Sequence, residues 1–317
     1  METKEAMPLI FQKRDADILI ATHQHDGVLA RRHLKYLFWR DKSWRAFEKR
    51  LSKLKQSGYI EWPDGRQRKT FPIPEPIIWL GWKGALYLAG REGITARLPN
   101  NINENQLRQL EKTLRAAGFH WLREPRWSQL KHDLNVVDMR FWVNRSIKAC
   151  ENYSLEEWTN ESIFRSDTDY IDYQVKTRDD QMLKRRKGIR PDGSFSIIDK
   201  SRQEKGEPFR ARFLVEIDMA THDNPSFGMD KAAPGAAYIK SQEYFNRFNT
   251  QSGRWLVITT SPIRMRNLIQ QTRERIGNDS NMFYFTRFDY CQNHNFFTDP
   301  IWLQEVSGMP TPLIGQK

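Results

Sequence analysis

The chain has 317 residues, a formal net charge of +12, 38% apolar and 12% aromatic residues, and two cysteines, Cys150 and Cys291. Its apolar content excludes a disordered polymer, its length allows one large domain or two smaller ones, and its cysteine count excludes a disulfide framework or a multi-cysteine zinc site. The cationic excess favours a polyanionic partner, and the longest apolar stretch, "IIWLGWKGALYLAG", is interrupted by Lys83 and too short to span a bilayer.

In chain order, "METKEAMPLI" lacks a basic segment leading into an apolar one, so no signal peptide is expected and a cytoplasmic setting fits. "DADILIAT" and "VLARRHLKYLF" read as two short helices with "HQHDG" as the break. Residues 31 to 55 hold ten Lys or Arg against Asp41 and Glu48, which is +8 in one short span. Within it Trp44, Phe47, Leu51 and Leu54 form one apolar stripe at helical spacing, with Ser43 as N-cap and Gly58 past the end. Arg45, Lys49 and Lys53 fall on the opposite face, with Arg50 beside them. "YIEWPDGRQRKTFPI" then reads as a hairpin turning at Asp64-Gly65, with Arg66, Arg68 and Lys69 on the returning strand. Three helices and a basic hairpin predict a winged helix-turn-helix over residues 1–98, its third helix entering the major groove of double-stranded DNA. The bland alternative is a helical bundle with a solvated charged face.

"RLPNNINENQ" reads as a hinge, and Leu107, Leu110 and Leu114 mark a short helix closed by Gly118, giving a connecting segment over 99–126. Residues 127–317 read as α/β. "LKHDLNVVDMRFWVNRSI" is an amphipathic helix; "SIFRSDTDYIDYQ" is a strand and turn; a basic cluster, Lys184 to Lys187 with Arg190, leads into "RPDGSFSI". "ARFLVEIDMAT", "GRWLVITT" and "MFYFT" are strands, alternating with helices "AAPGAAYIKSQEYFNRF" and "SPIRMRNLIQQTRERIG". This order predicts a mixed sheet flanked by helices.

The second Pro-Asp-Gly of the chain, Pro191-Asp192-Gly193, enters a strand, and the next strand carries Glu216 and Asp218 on one face, roughly 6–7 Å apart. Like charges so placed repel unless a cation lies between them or water covers them. Two readings follow: a Mg²⁺ or Mn²⁺ site of Asp192, Glu216 and Asp218, or a wet strand face whose acids pair with arginines. The order "HDLNVVDMR", "RPDG", "LVEIDMAT", "YIKSQEYF", "LVITTSPIRMRNLI" resembles the replication-relaxation family over about residues 13 to 290. Those are winged-helix proteins of plasmids and other mobile elements, with a C-terminal half similar to the PD-(D/E)xK endonuclease fold.

The resemblance implies a restriction-endonuclease-like second domain with Asp192 and Glu216 at its acidic positions. It puts Asp218 where that motif has lysine, and Lys240 on the following helix as the substitute catalytic lysine. It also matches Thr221 and His132 to family positions and leaves His222 where an acid is usual. Two functions are expected from it. The first is a DNA-binding factor in replication, mobilisation or their control, with the nuclease-like domain as scaffold or clamp and other replication or mobilisation proteins as further partners. The alternative is an active Mg²⁺-dependent DNA endonuclease targeted by the winged helix. His23 and His25 resemble a relaxase His-x-His pair only weakly, because Gln24 between them lies at a helix end. No phosphate-binding glycine loop or nucleophile elbow is present.

Overall fold

The computed structural model describes residues 9–95, 102–176, 181–220 and 224–314. The chain divides into two units, Met1–Val137 and Asp138–Lys317.

In the first unit, α1 (Lys13–Gln24) buries Ile18 and Leu19. The chain then turns through Asp26 and Gly27, both at positive φ, into β1 (Val28–Ala30). α2 (Arg31–Phe38) and α3 (Trp44–Gln56) follow, then β2 (Ile60–Glu61), α4 (Gly65–Thr70), β3 (Ile77–Leu80), α5 (Trp82–Arg91) and α6 (Glu104–Ala116). The three strands form an antiparallel sheet of order β1-β3-β2.

Two expectations change here. Val28–Ala30 is not the start of a helix, because its backbone pairs with Ile77–Trp79. Asp64-Gly65 is not a hairpin turn. The Asp64 carboxylate accepts from Gln67 N at 2.7 Å while Gln67 Oε1 accepts from Asp64 N at 3.0 Å, a capping box that starts α4. Arg66, Arg68 and Lys69 therefore lie on a helical turn between β2 and β3. The α3 stripe begins one step later than its spacing implies. Phe47, Leu51 and Leu54 are fully buried, whereas Trp44, in the first turn, is 54% exposed.

A long helix, α7 (Leu130–Lys148), crosses the division. Its first residues, Leu130 and Leu134, pack with Val28, Ile77 and Trp79, so the helix expected to open the second domain begins in the first unit's core.

The second unit continues with β4 (Tyr153–Asn160), α8 (Glu161–Ser166), β5 (Asp169–Lys176), β6 (Met182–Ile189), β7 (Gly193–Asp199), α9 (Lys200–Glu204) and β8 (Arg210–Asp218). α10 (Asn224–Phe227), a π-helical turn (Gly228–Ala232) and α11 (Ala233–Ile239) follow as one winding segment. The last elements are α12 (Gln242–Phe248), β9 (Arg254–Thr259), α13 (Pro262–Ile276), β10 (Phe283–Arg287) and α14 (Phe288–Asn293).

The expected mixed sheet flanked by helices is present, with five strands in the order β10-β9-β8-β7-β4. β8, β9 and β10 run parallel, and β7 and β4 antiparallel. β5 and β6 form a separate antiparallel hairpin. Leu214, Val257 and Phe285 pack with Tyr238 of α11 and Leu268 of α13. Phe195 and Phe213 stack at 5.1 Å, and Phe297 packs against both.

Two local expectations change in this unit. "SIFR" is helical, so the strand starts only at Asp169. The helix expected through "YIKSQEYF" breaks at Lys240, where the Ser241 hydroxyl accepts from Tyr244 N and starts a second helix. Among the described residues no helix is long and apolar enough to cross a membrane.

Candidate functional site

The stretch around Asp192 is built by strand register. Gly193 pairs with Val215, so one further step of that antiparallel ladder sets Asp192 across from Glu216. Asp192 N donates to Val215 O at 2.9 Å, and its Oδ2 accepts from Ile217 N at 2.6 Å. The loop residue is thus sewn into β8 by its side chain as well as its backbone. Asp192 and Glu216 are both buried, at 6% and 8% exposure. Two carboxylates so placed need a cation. Lys231, on the π-helical turn, provides one, with Nζ 2.6 Å from Glu216 Oε1. Burial acts to lower the Lys231 pKa, but Glu216, Asp192 and Glu161 together outweigh it and hold it above the ordinary lysine value. The ammonium stays charged.

The other two residues expected at this site lie elsewhere. Asp218 binds Arg264 through two hydrogen bonds of 2.8 and 2.9 Å and accepts from the Thr259 hydroxyl at 2.6 Å. Its carboxylate is therefore consumed in a buried ion pair, and the expected trio Asp192, Glu216 and Asp218 does not share a cation. Lys240 sits at the break between α11 and α12 with its ammonium on Asp279 at 2.6 Å, so Lys231 and not Lys240 faces the acidic pair. Among the described residues no group of three His, Cys, Asp or Glu is placed to hold a metal. Asp192 and Glu216 remain a two-carboxylate set, which suits a hard cation that keeps most of its water, as Mg²⁺ does. Thr221 and His222 lie outside the described residues. His132 has Nδ1 3.5 Å from the Asp133 carboxylate at the start of α7.

Glu216 and Lys231 open into a cleft of about 590 Å³, whose walls include the β6 residues Arg186 and Lys187, then Arg190, and Pro234 of α11. Asp230 reaches back to Arg185 at 3.4 Å and Lys187 at 3.7 Å, so successive residues of the π-helical turn serve opposite walls. Burial pulls the Lys187 ammonium below the ordinary lysine value; Asp230 and Glu216 oppose this, and Lys231 adds to it.

The basic span of the first unit sorts into held and free cations. Arg50 donates to the fully buried Asp15 at 2.7 Å, so it ties α3 to α1 and is withdrawn from the DNA-contact set expected for it. Arg31 pairs with Glu48 at 2.6 Å and Arg32 with Glu75 at 2.8 Å. Arg45, Lys49 and Lys53 are exposed and have no ion-pair partner among the described residues. Arg66 and Lys69 are exposed on α4, and Arg68 donates to Pro63 O at 3.1 Å. His23 stacks on Phe119 at 4.6 Å, and His25 lies 2.8 Å from Ala21 O, both in packing roles. Burial lowers the His23 pKa; Glu92 opposes this and His120 adds to it.

Lys231 is the residue that reading the sequence misses. Its available signal is position: a lysine in the segment directly after the acidic strand, just ahead of Pro234. Compared with protein-family models, curated proteins and solved structures, the chain matches none.

Proposed function

We propose that this chain is a DNA-binding protein of a plasmid or other mobile element, acting in replication, mobilisation or their control. The observation that carries the reading is the outer face of α3. Arg45, Lys49 and Lys53 recur there at steps of four, exposed and unpaired among the described residues, while the inner face is fully buried. The element order α1-β1-α2-α3-β2-β3 supports this reading, which takes α3 as the recognition helix of a winged helix-turn-helix and the β2–α4–β3 connection, with Arg66 and Lys69, as its wing. Phosphate contacts of this kind supply affinity by releasing condensed counterions. The test is duplex binding by the full chain. Arg45→Glu/Lys49→Glu should weaken it by at least tenfold, and Lys112→Glu, on the exposed side of α6, should change it little. Equal affinity of the double variant and wild type at moderate salt would remove the recognition-helix assignment.

A second, catalytic reading is favoured by one observation, the Lys231 ammonium on Glu216 with Asp192 across from it. Asp192 and Glu216 would hold a Mg²⁺ or Mn²⁺ ion, which supplies Lewis acidity to a phosphodiester. Lys231 would then turn its ammonium to a phosphate oxygen or to the attacking water. Nicking of supercoiled DNA in Mg²⁺ or Mn²⁺ tests this reading. Lys231→Met should abolish nicking and keep duplex binding, and Lys240→Ala should leave nicking unchanged. Nicking that survives Lys231→Met, or none in wild type, would leave the second unit as a scaffold or clamp.

A further inference from the structure

We infer that the cleft beside the β5–β6 hairpin is a subsite for single-stranded nucleic acid, with Tyr170 as the platform for a base and Arg186 and Arg190 as phosphate contacts. The inference rests on the second unit alone and is independent of duplex binding by α3.

The hairpin stands outside the five-stranded sheet, and its two faces differ. Ile171, Tyr173, Val175 and Ile189 are buried on the inner face. The outer face carries Tyr170, Lys184 and Arg186, because register pairs Tyr170 with Gly188 and Gln174 with Lys184. Asp172, across from Arg186, is the carboxylate that this face carries among the described residues.

Tyr170 is 50% exposed, unusual for a large ring in a strand, and it lines the cleft. Gly188 accounts for its pose. A Cβ at Gly188 would stand 3.2 Å from the Tyr170 ring and 2.8 Å from Thr168 Cγ2, so a side chain there would push on both, and the glycine leaves the ring room to lie across the hairpin. The Arg186 guanidinium lies 5.6 Å from the ring centroid, within cation–π range. Arg190 is anchored by its Nε on the Thr168 hydroxyl at 3.1 Å, which leaves its terminal nitrogens to a ligand.

Charge and size choose the ligand. Arg186, Lys187, Arg190 and Lys231 line the cleft against Glu216 and Asp230, so cations outnumber acids there. An aromatic ring flanked by guanidinium groups is how proteins hold an unpaired strand, with bases stacked and phosphates tracked by charge. A cleft of about 590 Å³ has room for a nucleotide or two. The strand would run toward Lys231 and the acidic pair.

The experiment uses the full chain in EDTA with fluorescein-labelled oligothymidylate of about eight nucleotides, read by anisotropy. Tyr170→Ala should weaken binding roughly five- to a hundredfold, the range for one lost base stack, and Tyr170→Phe should retain it. Arg186→Gln/Arg190→Gln should weaken it as well and flatten its salt dependence. Arg45→Glu/Lys49→Glu should lose duplex binding yet keep oligothymidylate binding, which separates failure of the two readings. Oligothymidylate binding that is indifferent to the Tyr170 and arginine changes would overturn the inference. So would competition by inorganic phosphate as effective as that by unlabelled oligothymidylate, since that marks a simple anion site.

Discussion

Lys231 sets the charge balance at the acidic pair, because its ammonium sits on Glu216 and is attracted by Asp192 across the ladder. Its side chain is 37% exposed, so the contact with Glu216 is worth less than a fully buried pair. Lys231→Met should lower stability by on the order of 1–2 kcal/mol, read by urea denaturation, as Glu216 and Asp192 are left facing each other. The sign of the pH dependence follows from the raised pKa. The lysine contributes in full below its ordinary value of 10.5 and loses its contribution as pH rises through the higher folded value. The gap between wild type and variant should thus stay flat from neutral pH to about 10 and close above that. A gap that closes between pH 7 and 9 would contradict it. At this scale Asp192 and Glu216 were legible, one from a Pro-Asp entering a strand and the other from strand alternation. Asp218 was not, because alternation gives the face of a side chain and not its partner. Arg264, which holds Asp218, comes from a helix beyond the next strand.

Secondary-structure elements were legible where their signal was long. The α3 stripe from Phe47 onward, the nine-residue strand β8 and α13, with Ser261 capping its start and Gly277 ending it, match their expected patterns, whereas Trp44 at the head of the stripe does not. β1, of three residues, was not legible, since pairing and not periodicity makes it a strand; of the expected hairpin only the outgoing strand is present, as β2, and the returning one is the helical turn α4. Local chemistry also competed with turn chemistry at Asp64. A Pro-Asp-Gly signals a turn, yet Gln67 three residues on completes a capping box, and the box prevails. Asp64→Ala should cost about 0.5–2 kcal/mol of local helix stability. Hydrogen exchange should then accelerate at the amides of Gln67 to Phe71, with the melting temperature of the chain nearly unchanged. Unaltered protection in that stretch would mean that contacts other than the cap hold α4.

For the whole molecule, the sequence reveals how much charge there is but not how it is assigned. Of the ten cations between residues 31 and 55, Arg31, Arg32, Arg50 and Lys55 pair with acids. Lys35 bonds to Trp39 O and Lys42 O, and Arg40 lies over the Tyr36 ring. Six of the ten are thus engaged within the unit, and of the four that remain, Arg45, Lys49 and Lys53 lie on one face of α3 and Lys42 just ahead of it. This allocation predicts the salt dependence of the proposed duplex binding. The slope of log K against log salt is close to −0.9 per phosphate neutralised, so Arg45→Gln/Lys49→Gln/Lys53→Gln should flatten it by up to about three. Arg50→Gln should act differently. Its loss strands the buried Asp15, so the first unit should melt earlier while the slope measured on the folded protein changes by less than one. If Arg50→Gln flattened the slope as much as the triple change without lowering stability, the division into bracing and contact charges would fail.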